Sequence, residues 1–171
     1  MTFIVSIAVV VVATIAAISD LSTRRIPNFL TFGAAIAALV YHAVDGGVYG
    51  AGQASLGWIA GVALFLPFFA LGGMGAGDVK LIAALGAWFG PIGALQLAAA
   101  TAIAGGVVAV FVMLHARYFG RAVRNLWLLI THWWINGIRT LPELTLASSQ
   151  GPRLAYAVPI LLGTLGVLWW Q

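Results

Sequence analysis

The chain has 171 residues, of which 63% are hydrophobic and only 7% charged. A soluble domain carries about 25% charged residues, so a water-soluble fold is excluded, as is disorder, which needs a chain poor in apolar side chains. The absence of cysteine excludes disulfides, thiol catalysis and Cys-ligated zinc, and the net charge of +4 sits beside apolar runs, where it suits lipid headgroups and not nucleic acid.

The apolar runs are continuous and separated by short polar breaks, unlike the period-two alternation of a membrane β-barrel. The pattern predicts an all-α polytopic membrane protein, a single domain over residues 1–171. Six candidate spans follow in order: Thr2–Ser19, Phe29–Val44, Gln53–Leu71, Val79–Phe89, Ile92–Ala116 and Leu154–Trp170. A span needs about 20 residues; the second is slightly short and the fourth clearly so. The first resembles a signal peptide, with small residues near Ala16, Ala17 and Ser19. Its positive charges, Arg24 and Arg25, follow the apolar run, which fits an uncleaved span instead.

Between the last two spans, Arg117, Arg121 and Arg124 recur at helical spacing and are followed by Leu128, Leu129, Ile130, Trp133 and Trp134. The segment Arg117–Leu141 is therefore expected to be an interfacial amphipathic helix with tryptophans at headgroup depth. The competing reading, a seventh span from Asn125 to Ile138, is too short and contains His132 and Asn136. Pro142–Pro152 reads as a loop, so that 117–153 forms one interfacial and loop region. With six spans and the N-terminus outside, all 8 Lys and Arg residues fall on one side, and the positive-inside rule makes that side cytoplasmic. A seventh span would break this segregation.

Only four acidic residues exist. Asp45 lies in an outer turn and Glu143 in the inner loop, whereas Asp20 and Asp78 lie at the cytoplasmic ends of spans. An ionisable residue at membrane depth is a functional candidate by default. Asp78 ends Gly72-Gly73-Met74-Gly75-Ala76-Gly77-Asp78, where four glycines in six residues release the backbone and allow close approach. The plain alternative is a flexible loop with Asp78 as a helix N-cap. Asp20 opens the junction Asp20-Leu21-Ser22-Thr23-Arg24-Arg25-Ile26-Pro27-Asn28, whose plain reading is a polar turn with a snorkelling arginine pair. If the fold brings the two aspartates together, they can share a proton: one carboxylate activates water and the other polarises a scissile carbonyl.

These two segments together resemble the type IV prepilin peptidases, intramembrane aspartyl proteases with a GxGD signature. Gly75-Ala76-Gly77-Asp78 matches that signature, with Lys80 two residues on, and Asp20 with Arg25-Ile26-Pro27-Asn28 matches the pattern after the family's first catalytic aspartate. The resemblance runs from the first span through the fifth. It implies that Asp20 and Asp78 are the catalytic pair, and that Gly75, Gly77, Lys80, Pro27 and Asn28 shape the site or contact substrate. The implied reaction is removal of the basic leader from a prepilin or pseudopilin, on the cytoplasmic side of the bacterial inner membrane, with no metal and no cofactor. Larger members carry an added cytoplasmic domain with Cys-X-X-Cys pairs that methylates the product. A cysteine-free chain with no insertion between the first two spans resembles the short members that process Flp-type pilins.

Other residues weigh less. Lys80 is suited to tuning an aspartate, contacting substrate or plain anchoring, and Asn28 to bonding a backbone or carboxylate. His42, His115 and His132 lie at different depths, so no metal site is expected. Anionic lipid headgroups are the expected partners of the basic segment, and the sequence leaves the oligomeric state open. Two other classes remain: a small ion-coupled transporter, since buried carboxylates and glycine-broken helices also mark ion sites, and a non-catalytic membrane scaffold with both aspartates as caps.

Overall fold

The computed structural model describes residues 2–117, 119–137 and 154–170. Among these residues the fold is all-helical, with α1 Phe3–Thr23, α2 Asn28–Ala70, α3 Ala76–His115, α4 Phe119–Asn136 and α5 Ala157–Trp170. Helices α1, α2 and α3 are long and apolar enough to cross a membrane. Helix α5 is apolar but has 14 residues, which is about 21 Å of helix against a hydrocarbon core of about 30 Å.

Large apolar side chains face outward: Phe3 (80%), Phe29 (79%), Val48 (92%) and Trp169 (94%) are almost fully exposed. Helix contacts are made instead by small residues such as Ala13, Ala16, Ala38 and Ala54. This is the arrangement expected of a membrane protein. Lipid tails are as apolar as leucine, so helices associate by close packing, which small residues permit.

Neither α2 nor α3 is a straight rod. Gly47 (φ 59°, ψ −144°) and Gly90 (φ 72°, ψ −179°) leave helical geometry inside them, at angles that a residue with a side chain rarely adopts. The chain reverses at both points. A Cβ on Gly50 would collide with the His42 carbonyl, and one on Gly86 would lie 3.2 Å from the Ala94 Cβ. Residues eight apart on a straight helix would be separated by about 12 Å. The expected boundary between Phe89 and Ile92 thus falls on Gly90. Six separate spans are nevertheless not what the structure holds. Among the described residues there are five helices, because one glycine, not a polar loop, joins the two legs of α2 and of α3.

The first leg of α3 is the core of the molecule. Leu81, Ile82, Ala83, Ala84 and Leu85 are wholly buried, and Ala87 and Trp88 nearly so. Gly57 of α2 presses on Gly86 so closely that a Cβ on either would meet the other's carbonyl. Enclosure by neighbours explains why this stretch looked too short for a lipid-facing span. Helix α1 contributes a stripe of Val5, Val9, Ala13, Ala16, Ala17 and Asp20, spaced three or four residues apart so that all face the bundle.

The element ends depart from expectation in three places. Helix α1 continues past Ser19 to Thr23, which puts Asp20 inside its last turn. The interfacial helix expected over Arg117–Leu141 is α4, Phe119–Asn136. It is bounded by left-handed residues, Arg117 (φ 52°) and Gly137 (φ 77°), which end helices, and its contacts are chiefly with α3. The loop expected over Pro142–Pro152 lies outside the described residues. The last span, expected from Leu154, becomes helical only at Ala157, and Pro159 sits in its first turn, where its missing N–H costs nothing.

Candidate active site

Asp20 is held from two directions. Arg24, in the left-handed region at φ 56°, ends α1 and donates its N–H to the Asp20 carbonyl at 2.9 Å. The Ser19 and Thr23 hydroxyls both donate to the Arg25 carbonyl, at 2.8 and 3.2 Å, and tie the following turn back onto the helix. Pro27 then caps α2 at φ −63°, and its carbonyl accepts from Leu30 and Thr31 to start the new helix. Asp20 itself is buried, at 9% exposure. It sits near the C-terminal end of α1, whose dipole disfavours an anion. The N-terminus of α5 offsets this: the Ala157 N–H donates to Asp20 Oδ2 at 3.3 Å.

Asp78 occupies the opposite kind of position, at the start of a helix. Gly72 and Gly73 donate to the carbonyls of Phe69 and Phe68 and close α2. The irregular backbone is limited to the few residues before α3 begins at Ala76. From the first turn of α3, Asp78 Oδ2 curls back to accept from the Gly75 N–H at 3.3 Å. A carboxylate there satisfies a free helical N–H and complements the dipole.

The fold brings both motifs to one place. Asp20 and Asp78 lie within electrostatic reach of each other. Ile26, from the turn after α1, packs on Gly77, where a Cβ would lie 3.3 Å from the isoleucine Cβ. Beside it, Lys80 Nζ donates to Asn28 Oδ1 at 2.9 Å, and the ammonium also lies 5.4 Å from the centre of the Phe32 ring, a cation–π distance. All seven residues singled out in the sequence are therefore in or around one site: Asp20, Pro27, Asn28, Gly75, Gly77, Asp78 and Lys80.

The contacts of these residues fit the shaping part of the expectation. The close approach that Gly75 and Gly77 permit is intramolecular. A Cβ on Gly75 would stand 3.0 Å from Asp78 Oδ2, and Gly77 makes room for Ile26. Lys80 and Asn28 are joined by one hydrogen bond, so they act as a bracket between the motifs. His42, on α2, lies at the far end of the first leg of α3, with Nε2 bonded to the Trp88 carbonyl at 3.1 Å, and His115 stacks on Phe111.

Two contributions were invisible in the sequence. The Ala157 N–H carries no side-chain signal at all. Tyr156, just before it, lies within electrostatic reach of Asp78 and could be found only once α5 was placed against α1. Ile26 stood inside the recognised motif, but nothing in its identity showed that it packs on Gly77.

A family model for the type IV leader peptidase family matches residues 7–110. That stretch carries both aspartates, the turn between α1 and α2, and the glycine segment, and it ends before α4 and α5. No curated protein and no solved structure matches the chain.

Proposed function

This chain belongs to the type IV leader peptidase family, and from that premise we propose that it is a membrane-embedded aspartic endopeptidase. Its substrate is a type IV prepilin or pseudopilin, cut on the cytoplasmic side between basic leader and apolar helix. The observation that carries this reading is the convergence of Asp20 and Asp78 from motifs far apart in the chain. Each carboxylate has one oxygen on a backbone N–H.

In this reading the two carboxylates share one proton, since like charges brought close together do not both ionise easily. The ionised member takes a proton from water as the water oxygen attacks the scissile carbonyl carbon. The protonated member gives its proton to the carbonyl oxygen, which yields a neutral gem-diol. Collapse breaks the C–N bond as a proton passes to the departing nitrogen, and the pair returns to one proton. No step draws on a metal or cofactor.

In the membrane we read the two legs of α2, the two legs of α3, α1 and α5 as six crossings of an inner membrane, with both termini outside the cytoplasm. Helix α4, with Arg124 on its surface, then lies on the cytoplasmic leaflet against anionic headgroups. Co-expression with a small Flp-type pilin precursor tests the function. The expected result is a shorter precursor on a gel. An unprocessed precursor beside correctly inserted protein overturns the reading in favour of a transporter or a scaffold.

The bracket gives a second expectation. Lys80→Met and Asn28→Ala should each slow processing, and the double variant should be no slower than the worse single, because both remove one bond. Additive losses in the same assay would show that the two side chains act separately.

A further inference from the structure

The aspartates come from α1 and α3, but the buried hydrogen bond on Asp20 comes from α5. Ala157, its donor, is wholly buried. A contact at 3.3 Å between a backbone N–H and a carboxylate orients the acid only if the donor cannot move. The residue before the donor is itself closely seated. Tyr156 lies against Gly105 on the second leg of α3, where a Cβ would stand 2.9 Å from the tyrosine hydroxyl and 3.3 Å from Cζ and Cε2. Gly105 is buried, and Tyr156 half-buried. The same residue's carbonyl accepts from the Ile160 N–H at 3.2 Å, so Tyr156 is part of the first turn of α5. The Tyr156 hydroxyl lies within electrostatic reach of Asp78. One residue thus touches the second leg of α3 and precedes the donor to Asp20.

We propose that Tyr156, seated on Gly105, is a positioning residue that fixes the Ala157 N–H on Asp20 and so sets the geometry of the aspartate pair. The inference rests on the proposed peptidase reading and adds a third element, α5, to the site. A phenol has two side-chain torsions and a rigid ring, so it transmits position well. A Cβ at Gly105 pushes on the hydroxyl first and on Cζ and Cε2 next, and the rigid ring passes that push to Tyr156 and so to Ala157.

The test uses the full chain in detergent with an Flp-type pilin precursor and follows kcat and KM. Gly105→Ala should lower kcat by about 10- to 100-fold, the scale set by ångström misplacement of a catalytic group, and leave KM unchanged. Tyr156→Phe alone should lower kcat by clearly less than Gly105→Ala does, because the ring keeps its seat. The double variant, Gly105→Ala with Tyr156→Phe, should recover most of the lost kcat, because the shortest contact is gone. A general loss of packing would not be relieved by deleting a hydroxyl. Three results overturn the proposal: Gly105→Ala at native kcat, no recovery in the double variant, or a Tyr156→Phe defect as deep as that of Gly105→Ala. The last would make the hydroxyl itself a participant. Native protein that leaves the precursor intact would instead defeat the peptidase reading, so the two failures are distinct.

Discussion

Asp20→Asn and Asp78→Asn should each reduce precursor cleavage by about 10²–10⁴-fold, the range for loss of a positioned acid or base, while the protein still inserts and folds. The structure makes asparagine a clean replacement. Its amide oxygen can accept from the Ala157 N–H at position 20, and from the Gly75 N–H at position 78, as the carboxylate oxygens do now. The hydrogen bonds that place each side chain therefore survive. What is lost is the capacity to take a proton from water or to give one to the carbonyl oxygen. The double variant should be no worse than either single, because a proton-sharing pair fails as a unit. Single-turnover cleavage of the precursor, with insertion checked by protease accessibility, measures this. A single variant that keeps a tenth of native activity would remove that aspartate from the pair.

The sequence made the site's membership legible because charge is scarce in this chain. With four acidic residues in 171, the two at span ends stood out on cost alone, since membrane depth penalises a carboxylate that does nothing. The glycine segment and the proline turn were legible as interruptions for the same reason: continuous apolar helix surrounds them. The reversals at Gly47 and Gly90 were partly legible. Breaks were expected there, but their nature was not, because a polar loop and a single left-handed glycine interrupt hydropathy alike. The contacts that assemble the site were hidden. Gly77 against Ile26 and Ala157 on Asp20 depend on which helix faces which. In a bundle where almost every face is apolar, the hydrophobic pattern does not choose a facing direction. The partners of the signature glycines were hidden for the same reason. Lack of a Cβ shows that something comes close, and only the fold shows that it is Ile26 and Asp78 of the same chain.

That contact has a measurable consequence at Gly77. Gly77→Val should cut cleavage by about 10- to 100-fold, the range for displacing catalytic groups by roughly an ångström. Gly77→Ala should cost much less. The alanine Cβ would lie 3.3 Å from the Ile26 Cβ and 3.6 and 3.7 Å from its outer carbons, so a small shift accommodates it. Valine adds two methyls at a point already too tight. It forces Ile26, and with it the turn that carries Pro27 and Asn28, away from the first turn of α3. Asp20 lies just upstream on α1 and Asp78 one residue downstream of the substitution, so the pair would be pried apart. Two accounts of Gly77 then make opposite forecasts for one further variant. If the glycine serves packing on Ile26, adding Ile26→Ala to Gly77→Val opens the space and restores much of the activity. If it serves to admit a substrate backbone beside Asp78, trimming Ile26 does nothing, because the valine still stands in the substrate's path. The contact favours the first account, and rescue of cleavage by the second substitution is the expected outcome. A double variant as slow as Gly77→Val alone would return the glycine to the substrate.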